Sequence, residues 1–260
     1  CRNCCYFRKE KCMKPILVEV CADSLESAQI AQKAGAQRIE LCSALSCGGL
    51  TPSAALMEYT KKKVTIPIHV LIRPRSGDFL YSDDEIQIMC RDIEIAKSVG
   101  VNGIVCGVLT PLGTVDIKKL QILLEAAYPL KISFHRAFDM LKDPFACAAV
   151  LKDMGVERIL TSGQKPSAVQ GTKMISDLIS IFGNKLIIMP GAGINEKNVK
   201  AVITATGATE VHLSGKSIKN SDMIFRNESV VMGSPHSLSE FEHYIADEYI
   251  ISRAIKSINE

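Results

Sequence analysis

Two short segments of the sequence each end in a glutamate and a cysteine one residue apart. They are Glu19-Val20-Cys21 and Glu40-Leu41-Cys42. Thiolates prefer soft ions, and two of them suit a Cu(I) ion of low coordination number. Carboxylates suit proton transfer or a hard metal ion instead. A free buried cysteine is most often a small packing residue, so the spacing alone leaves packing and metal binding both open.

Two histidines follow later apolar segments and add to this inventory. In HRAFD, His135 can transfer protons or bind a metal, and Asp139 can orient it or pair with Arg136. His212 lies in HLSGKS and is a further candidate metal ligand. A single histidine at a strand end is often structural, but several ionisable groups that converge in a cleft are typical of a functional site.

The elements that must position these residues alternate along the chain. Eight apolar runs are separated by amphipathic segments, a pattern typical of βαβ units and a parallel sheet. The runs are ILVEVC, RIELC, IPIHVLIR, GIVCGV, KISFH, RILTS, KLIIM and EVHLS. A phrase of helix, glycine and strand recurs at Gly35, Gly100, Gly155 and Gly207, which divides the chain into four quarters of two strands. The sequence therefore predicts an α/β fold, a single-domain (β/α)₈ TIM barrel, in preference to an open doubly wound sheet.

Strand alternation predicts which side chains enter the barrel. Apolar residues of each strand should face the helices, which turns Glu19, Cys21, Glu40 and Cys42 inward. The same reasoning turns inward a later set, Ser133, His135, Leu160, Ser162, His212 and Ser214. These positions lie at the carboxyl ends of the strands, where barrel enzymes have their sites. We expect the two Glu-x-Cys segments to share one register, with their thiols side by side, and the opposite end of the barrel to lack such a polar set.

Arginines and glycine-rich turns predict an anion site at the same end. The alternative for the two arginines of RPRSGDFLYSDDE is an ion-paired loop before a helix that begins at Ser82 or Asp83. MPGAGI and HLSGKS follow strands seven and eight, where these barrels usually bind phosphate. The predicted anion-binding residues are Arg73, Arg75, Arg136, Ser162, Gly191, Gly193, Ser214 and Gly215.

The ends of the chain differ from its body. Residues 1–12 are polar, basic and rich in cysteine, and we expect an extension without fixed structure; a Cys-x-x-Cys-Cys metal knuckle is the alternative, although no second ligand pair follows it. The barrel is predicted to span 13–260. It includes an irregular loop or lid at about 216–238 and a last helix that begins near Ser239.

Composition narrows the classes of function. A net charge of +3 without a long basic run argues against nucleic acid as a partner. No apolar stretch is long enough for a membrane span, and the first residues lack the apolar core of a secretion signal. The ten cysteines are then expected to be reduced thiols of a cytoplasmic protein.

Several long phrases occur together in a characteristic order. They are EVCADS, RIELC, GGLTPS, RPRSGDFLYSDDE, FHRAFD, LTSG and PGAGI. Through them the chain, from about Met13 to Arg226 and beyond, resembles the CutC copper-homeostasis family. The resemblance implies a TIM barrel, a cytoplasmic location and copper binding. It also implies that the copper ligands are the cysteines of EVC and ELC, here Cys21 and Cys42.

Two functions therefore stand side by side. The first is copper homeostasis, with Cu(I) bound by Cys21 and Cys42 at the barrel mouth and His135 or His212 as further ligands. The expected partner is then a copper ion, and assembly into a homo-oligomer is left open.

The second function is an enzyme acting on a small phosphorylated or carboxylated substrate, an anionic metabolite. Glu19, Glu40, His135 and Asp139 are its candidate acid–base residues, or ligands of a hard metal ion. The arginines and the loops after strands seven and eight would bind the anion.

Overall fold

The computed structural model describes residues 15–230, 232 and 238–260. Eight parallel strands alternate with helices in chain order. The strands are β1 Leu17–Ala22, β2 Arg38–Leu41, β3 Ile68–Leu71, β4 Gly103–Cys106, β5 Lys131–Phe134, β6 Arg158–Thr161, β7 Ile187–Pro190 and β8 Glu210–Leu213. The helices are α1 Leu25–Lys33, α2 Ala54–Lys63, α3 Asp83–Val99, α4 Ile117–Ala127, α5 Pro144–Asp153, α6 Thr172–Phe182, α7 Val199–Thr206 and α8 Glu248–Asn259. Short 3₁₀ turns cover Leu45–Cys47 and Arg136–Met140.

The sheet closes into a barrel. Its strand order is β7-β6-β5-β4-β3-β2-β1-β8, every ladder is parallel, and β7 lies against β8. The predicted TIM barrel and its eight strands are confirmed. None of the described helices is long and apolar enough to cross a membrane.

The main core lies between the strands and the surrounding helices. Val18, Val20, Ile39 and Leu41 are completely or almost completely buried there, which confirms that these strand residues face the helices. Burying each such side chain contributes about 1.5–3 kcal/mol relative to exposure. Their neighbours in sequence are thereby directed into the barrel.

Local signals explain where the helices begin and end. The long helix α3 begins after Ser82, whose side chain accepts a hydrogen bond from the Glu85 N–H while Glu85 accepts one from the Ser82 N–H. This capping box satisfies two backbone donors at the helix start. The helix ends at Gly100, which has a φ of +80°, as predicted for the recurring glycine.

The predicted register of the first two strands is wrong. Cys21 pairs with Glu40 and Glu19 pairs with Arg38, so β2 is displaced by two residues relative to the expected alignment. Strands must tilt and shift in register to close a barrel. The two Glu-x-Cys segments therefore lie in different layers of the barrel, and Cys42 stands closer to the mouth than Cys21.

The C-terminal part differs from the prediction in two ways. Lys216–Asn220 forms β9, which pairs antiparallel with β10 at Glu242–Ala246, where an irregular loop was expected from residue 216. Residues 221–230 carry no helix or strand, as expected. The last helix begins at Glu248 rather than near Ser239, because Ser239 makes cap-like hydrogen bonds with Phe241 and Glu242 at a turn into β10. Predictions on residues 1–12 lie outside the described part of the chain.

Candidate functional site

An ionic layer of four buried side chains crosses the barrel interior: Glu19, Arg38, Arg158 and Glu210. Arg38 donates to Glu19 and, at 2.5 Å, to Glu210, and Arg158 donates to both oxygens of Glu210 at 3.0 and 3.3 Å. Arg158 also donates to the Ser133 hydroxyl. The expectation of no polar set below the mouth is wrong. Strand alternation could have predicted this layer, because Arg38 and Arg158 each precede an inward-facing residue by two positions and must therefore also face inward.

The charges of the ionic layer balance one another. Two guanidinium groups face two carboxylates, which is the condition under which buried charges are tolerated. Burial works to raise the pKa of Glu19, but the hydrogen bond from His212 and the charge of Arg38 hold it well below its usual value. Glu19 is therefore an ionised structural partner rather than a proton donor at neutral pH.

His212 connects the ionic layer to the mouth. Its Nδ1 lies 2.8 Å from Glu19 Oε1 and 3.7 Å from Glu40 Oε2, and the Cys21 thiol is near enough to affect its pKa. Burial would lower the pKa of His212, but Glu40, Cys21 and Glu19 together raise it well above its usual value. The imidazole is consequently protonated between two carboxyl groups.

Glu40 is the ionisable group best placed to change its protonation near neutral pH. Burial and the neighbouring charge of Glu19 raise its pKa to about 7, against the opposing effect of His212. Its Oε2 atom is buried and has no hydrogen-bond partner in the described part of the protein. Ligand atoms of Glu19, Glu40 and His212 lie within 4.8 Å of one another. Of the predicted acid–base set, Glu19 and Glu40 are therefore brought together, with His212 as the third member of the cluster, whereas His135 and Asp139 lie outside it.

A mouth cavity of about 250 Å³ opens above this cluster. The four candidate copper ligands and two of the four candidate catalytic residues, Glu40 and His135, line it. Its walls are Cys21, Glu40, Cys42, Leu45, Cys47, Gly48, Gly49, Leu71, Arg73, Phe79, His135, Arg136, Leu160 and His212. The sequence predicted most of the polar members, but it did not single out Cys47 or Phe79, which reach the cavity from loops.

His135 is held as a neutral imidazole. Burial and the nearby Arg73 lower its pKa to about 3. Its Nδ1 accepts a hydrogen bond from the Ala137 N–H, so its proton lies on Nε2. That Nε2 atom is buried and has no hydrogen-bond partner among the described residues. The ring lies 4.8 Å from that of Phe79 and close to Gly107, where an added Cβ would be 2.6 Å from the ring. His135 can therefore donate one hydrogen bond but is a poor proton acceptor.

The thiols of Cys21 and Cys42 share the cavity without sharing a strand layer. Cys42 packs among Leu71, Val105 and Leu45. Burial, with Cys21 and Glu40 nearby, raises the pKa of Cys42 well above its usual value. Cys42 is therefore a protonated thiol, and a metal ion that binds it would have to displace that proton.

Two of the predicted anion-binding arginines have structural tasks. Arg73 donates to the carbonyl oxygens of Cys47, Gly49 and Gly77 at 2.9–3.1 Å. Arg75 pairs with Asp78 and Glu85 and donates to loop carbonyl oxygens. Both arginines therefore take part in the loop interactions that were the alternative for this segment, and their role as an anion clamp stays a prediction. The buried Nε of Arg73 has no hydrogen-bond partner among the described residues, and Arg73 lines the mouth cavity.

Asp139 organises the loop after β6. It accepts hydrogen bonds from the Thr161 hydroxyl, from the Ser162 N–H and hydroxyl, and from the Gln164 N–H, and it pairs with Arg136 at 2.8 Å. Arg136 also donates to the Ser162 hydroxyl. Asp139 and Ser162 thus position Arg136, and their predicted acid–base and anion-binding roles stay predictions.

A second space, the basic cavity, adjoins the mouth cavity after β7 and β8. Its volume is about 470 Å³. The two cavities share the walls Arg136, Leu160 and His212. The basic cavity is further lined by Ala192, Gly193, Ile194, Asn195, Glu196, Lys197, Leu213, Ser214, Gly215, Lys216 and Ile250. Four predicted anion-site residues, Arg136, Gly193, Ser214 and Gly215, are thereby brought together.

The barrel and its mouth define an α/β barrel protein with a ligand cavity at the carboxyl ends of its strands. The family model for the CutC family matches residues 16–217. The chain therefore belongs to the CutC family, as its motifs predicted. The match ends within β9, so β10 and α8 lie beyond it.

Individual relatives agree with this assignment. The human copper homeostasis protein cutC homolog is 47% identical over 231 residues, 89% of this chain and 85% of the human protein. A family protein CutC from Pasteurella multocida is 47% identical over 214 residues, 82% of this chain and 88% of that protein.

Solved structures place the fold. A CutC protein of Streptococcus agalactiae superposes with a TM-score of 0.73 at 33% identity, over 76% of this chain and 98% of that chain. Thiamine phosphate pyrophosphorylase from Pyrococcus furiosus superposes with a TM-score of 0.57 at 13% identity, over 94% of this chain and 96% of that chain, which shows a common barrel fold only.

Proposed function

We propose that this CutC protein binds Cu(I) in its mouth cavity and acts in copper homeostasis through that ion. One observation carries the proposal: the thiols of Cys21, Cys42 and Cys47 line a single cavity. His212 and His135 line it too, but His212 must first lose a proton to become a ligand, and His135 must first give up the proton on Nε2 or the hydrogen bond to its Nδ1. Thiolates and imidazoles are the ligands that Cu(I) takes in preference to hard cations.

The register of the strands changes how the predicted ligands are arranged. Cys21, which lines the cavity together with His212, is the inner ligand, and Cys42 approaches the same space from the layer above. Cys47 lies in the 3₁₀ turn at the rim and is exposed, so it is placed to take an ion from solvent. Binding releases the Cys42 proton, which makes Cu(I) affinity rise with pH.

A competition titration with a Cu(I)-specific chelator tests this proposal. All proteins carry Cys1, Cys4, Cys5 and Cys12 replaced by serine, so that the N-terminal thiols do not contribute. We expect one ion per chain in this background and an affinity at least about a hundredfold lower in Cys21→Ser/Cys42→Ser. The matched control is Cys90→Ser/Cys147→Ser, which alters two helical cysteines away from the cavity. Equal affinity of the double variant and the background protein would contradict the proposal.

A second candidate function, acid–base catalysis on a small molecule, is supported by a different observation. Glu40, with a pKa of about 7, and the neutral His135 line the same cavity, and each has a buried polar atom without a described partner. A carboxyl group that titrates near neutral pH suits a general base, and a neutral imidazole N–H can stabilise a developing oxyanion. Glu40 would remove a proton next to a carbonyl group whose oxygen is held by His135.

Carboxyl titration followed by ¹³C NMR tests this candidate. We expect one glutamate side chain to titrate close to pH 7 and that signal to disappear in Glu40→Gln but persist in Glu58→Gln, a change on the exposed side of α2. Deuterium incorporation from D₂O into phosphorylated and carboxylated carbonyl compounds should follow the same pattern. If no carboxyl group titrates between about pH 6 and 8, Glu40 is not the base.

A further inference from the structure

We propose that the basic cavity binds the phosphate group of a small phosphorylated metabolite whose remaining atoms extend into the mouth cavity. This inference names the substrate class for the second proposed function. Only the statement that the metabolite is a substrate rests on that function, because phosphate binding can be measured without turnover.

The charges around the basic cavity favour an anion. Arg136, Lys197 and Lys216 line it, and Glu196 is the one carboxylate among its described walls. The Lys216 ammonium lies 3.5 Å from the centre of the Tyr244 ring, a cation–π contact that restricts where its charge can lie. Three cations against one carboxylate suit a doubly charged phosphate better than a neutral ligand.

Arg136 is prepared to contact a ligand at the junction of the two cavities. Its Nε donates to Asp139 and one terminal nitrogen donates to Ser162, while about 45% of the side chain remains exposed. These two bonds fix the plane of the guanidinium group before any ligand arrives. A fixed guanidinium binds phosphate with less loss of side-chain entropy than a free one.

The backbone of the loops approaches the cavity closely. Ala192 and Gly193 have φ angles of +77° and +71°, and an added Cβ at Gly215 would lie 2.4 Å from Ile251. The loop is fixed further because Asn198 accepts from the Asn195 N–H and donates to the Gly193 carbonyl oxygen. Glycine at position 215 leaves room for Ile251 of α8, and Gly193 and Gly215 are walls of the cavity that have no side chain to fill it.

The shared walls determine how a ligand would span the two spaces. Leu160 and His212 separate the basic cavity from the mouth cavity and line both. A phosphate beside Arg136 would therefore have its attached carbon atoms directed toward Glu40 and His135. Each cavity is of the size that holds a small ligand or part of one.

Calorimetric titration of the full chain with inorganic phosphate tests the proposal, with acetate and chloride at the same ionic strength as comparisons. We expect saturable phosphate binding, weaker acetate binding, and tighter binding of glycerol 3-phosphate than of phosphate alone. Arg136→Ala and Lys197→Ala should each weaken phosphate binding at least about tenfold. Arg91→Ala removes an exposed arginine paired with Glu94 on α3 and should leave it unchanged.

Two results would overturn the inference. One is phosphate binding no stronger than that of chloride at equal ionic strength, and the other is equal phosphate affinity in the wild type, Arg136→Ala and Lys197→Ala. Lys197 is exposed, so its replacement tests the site even if Arg136→Ala fails to fold. Glu40→Gln should bind phosphate normally. If the wild type binds phosphate but incorporates no deuterium into carbonyl compounds, the catalytic proposal fails and this one does not.

Discussion

Arg38 is the residue on which the charge balance inside the barrel depends. It lies between Glu19 and Glu210, with only about 4% of its side chain exposed. Burial works to lower its pKa, and the two carboxylates raise it above its usual value. The salt bridge itself contributes little net stability, since desolvation offsets the attraction, but an unpaired buried carboxylate is very costly.

Replacing Arg38 by methionine tests this view. We expect Arg38→Met to lower the free energy of unfolding by about 3–5 kcal/mol, because it leaves Glu19 and Glu210 with one guanidinium fewer. Urea denaturation measures the change, with Arg91→Met on the surface of α3 as the control, for which about 0.5 kcal/mol or less is expected. A triple change of Arg38, Glu19 and Glu210 to apolar residues should recover part of the loss; a loss equal to that of Arg38→Met would contradict the argument.

At the scale of elements, β4 makes room for the histidines of the strands beside it. A Cβ at Gly103 would lie 2.8 Å from His69 Nε2, and one at Gly107 would lie 2.7 Å from His135 Nδ1. His69 belongs to β3 and His135 follows β5. Glycine at the first residue of β4 and at the residue directly after its end thus leaves room for both imidazoles inside the barrel.

The change Gly107→Ala should displace the His135 ring and break its bond to the Ala137 N–H. Overpacking of this kind costs about 1–3 kcal/mol, and the His135 ring resonances should move in NMR spectra. Gly155→Ala is the control, because nothing lies within 4 Å of its added Cβ and only its φ of +84° is unfavourable. Unchanged His135 resonances in Gly107→Ala would show that the ring is not constrained by β4.

The sequence predicted what depends on neighbouring residues and missed what depends on the closed ring. Strand alternation correctly turned Glu19, Cys21, Glu40 and His212 inward, because helix-facing positions must be apolar. The offset between β1 and β2 is imposed by closure of the whole barrel, so nothing within VEVC or IELC could reveal it. The β9–β10 pair was missed for a related reason, since its two short strands are far apart in the sequence.

At the scale of the whole molecule, the interior histidines respond to pH in opposite directions. Burial lowers the pKa of His69 to about 4, whereas the carboxyl groups around His212 raise its pKa. Below pH 6.5 the unfolded chain protonates His69 and the folded protein does not, so this residue destabilises the fold as pH falls toward 4. His212 has the reverse effect: its contribution is fully present below pH 6.5 and is lost as pH rises through its raised pKa.

Denaturation of the wild type and His69→Phe at several pH values separates these effects. Between pH 6.5 and 4.5 the wild type should lose stability relative to the variant by about 1.4 kcal/mol per pH unit. The comparison cancels the contributions of Glu40 and His212, which both proteins share. Parallel stability curves over this range would mean that His69 is protonated in the folded protein as readily as in the unfolded chain.

The ionic layer also has a consequence for traffic through the barrel. The barrel interior below His212 is filled by four ion-paired side chains, Glu19, Arg38, Arg158 and Glu210. They therefore block passage through the amino-terminal end of the barrel. Protons, metal ions and metabolites that reach Glu40 must then enter and leave through the same opening. A copper ion and a phosphate ester would then use the same opening at the carboxyl ends of the strands. Each, once bound, would slow the entry and release of the other.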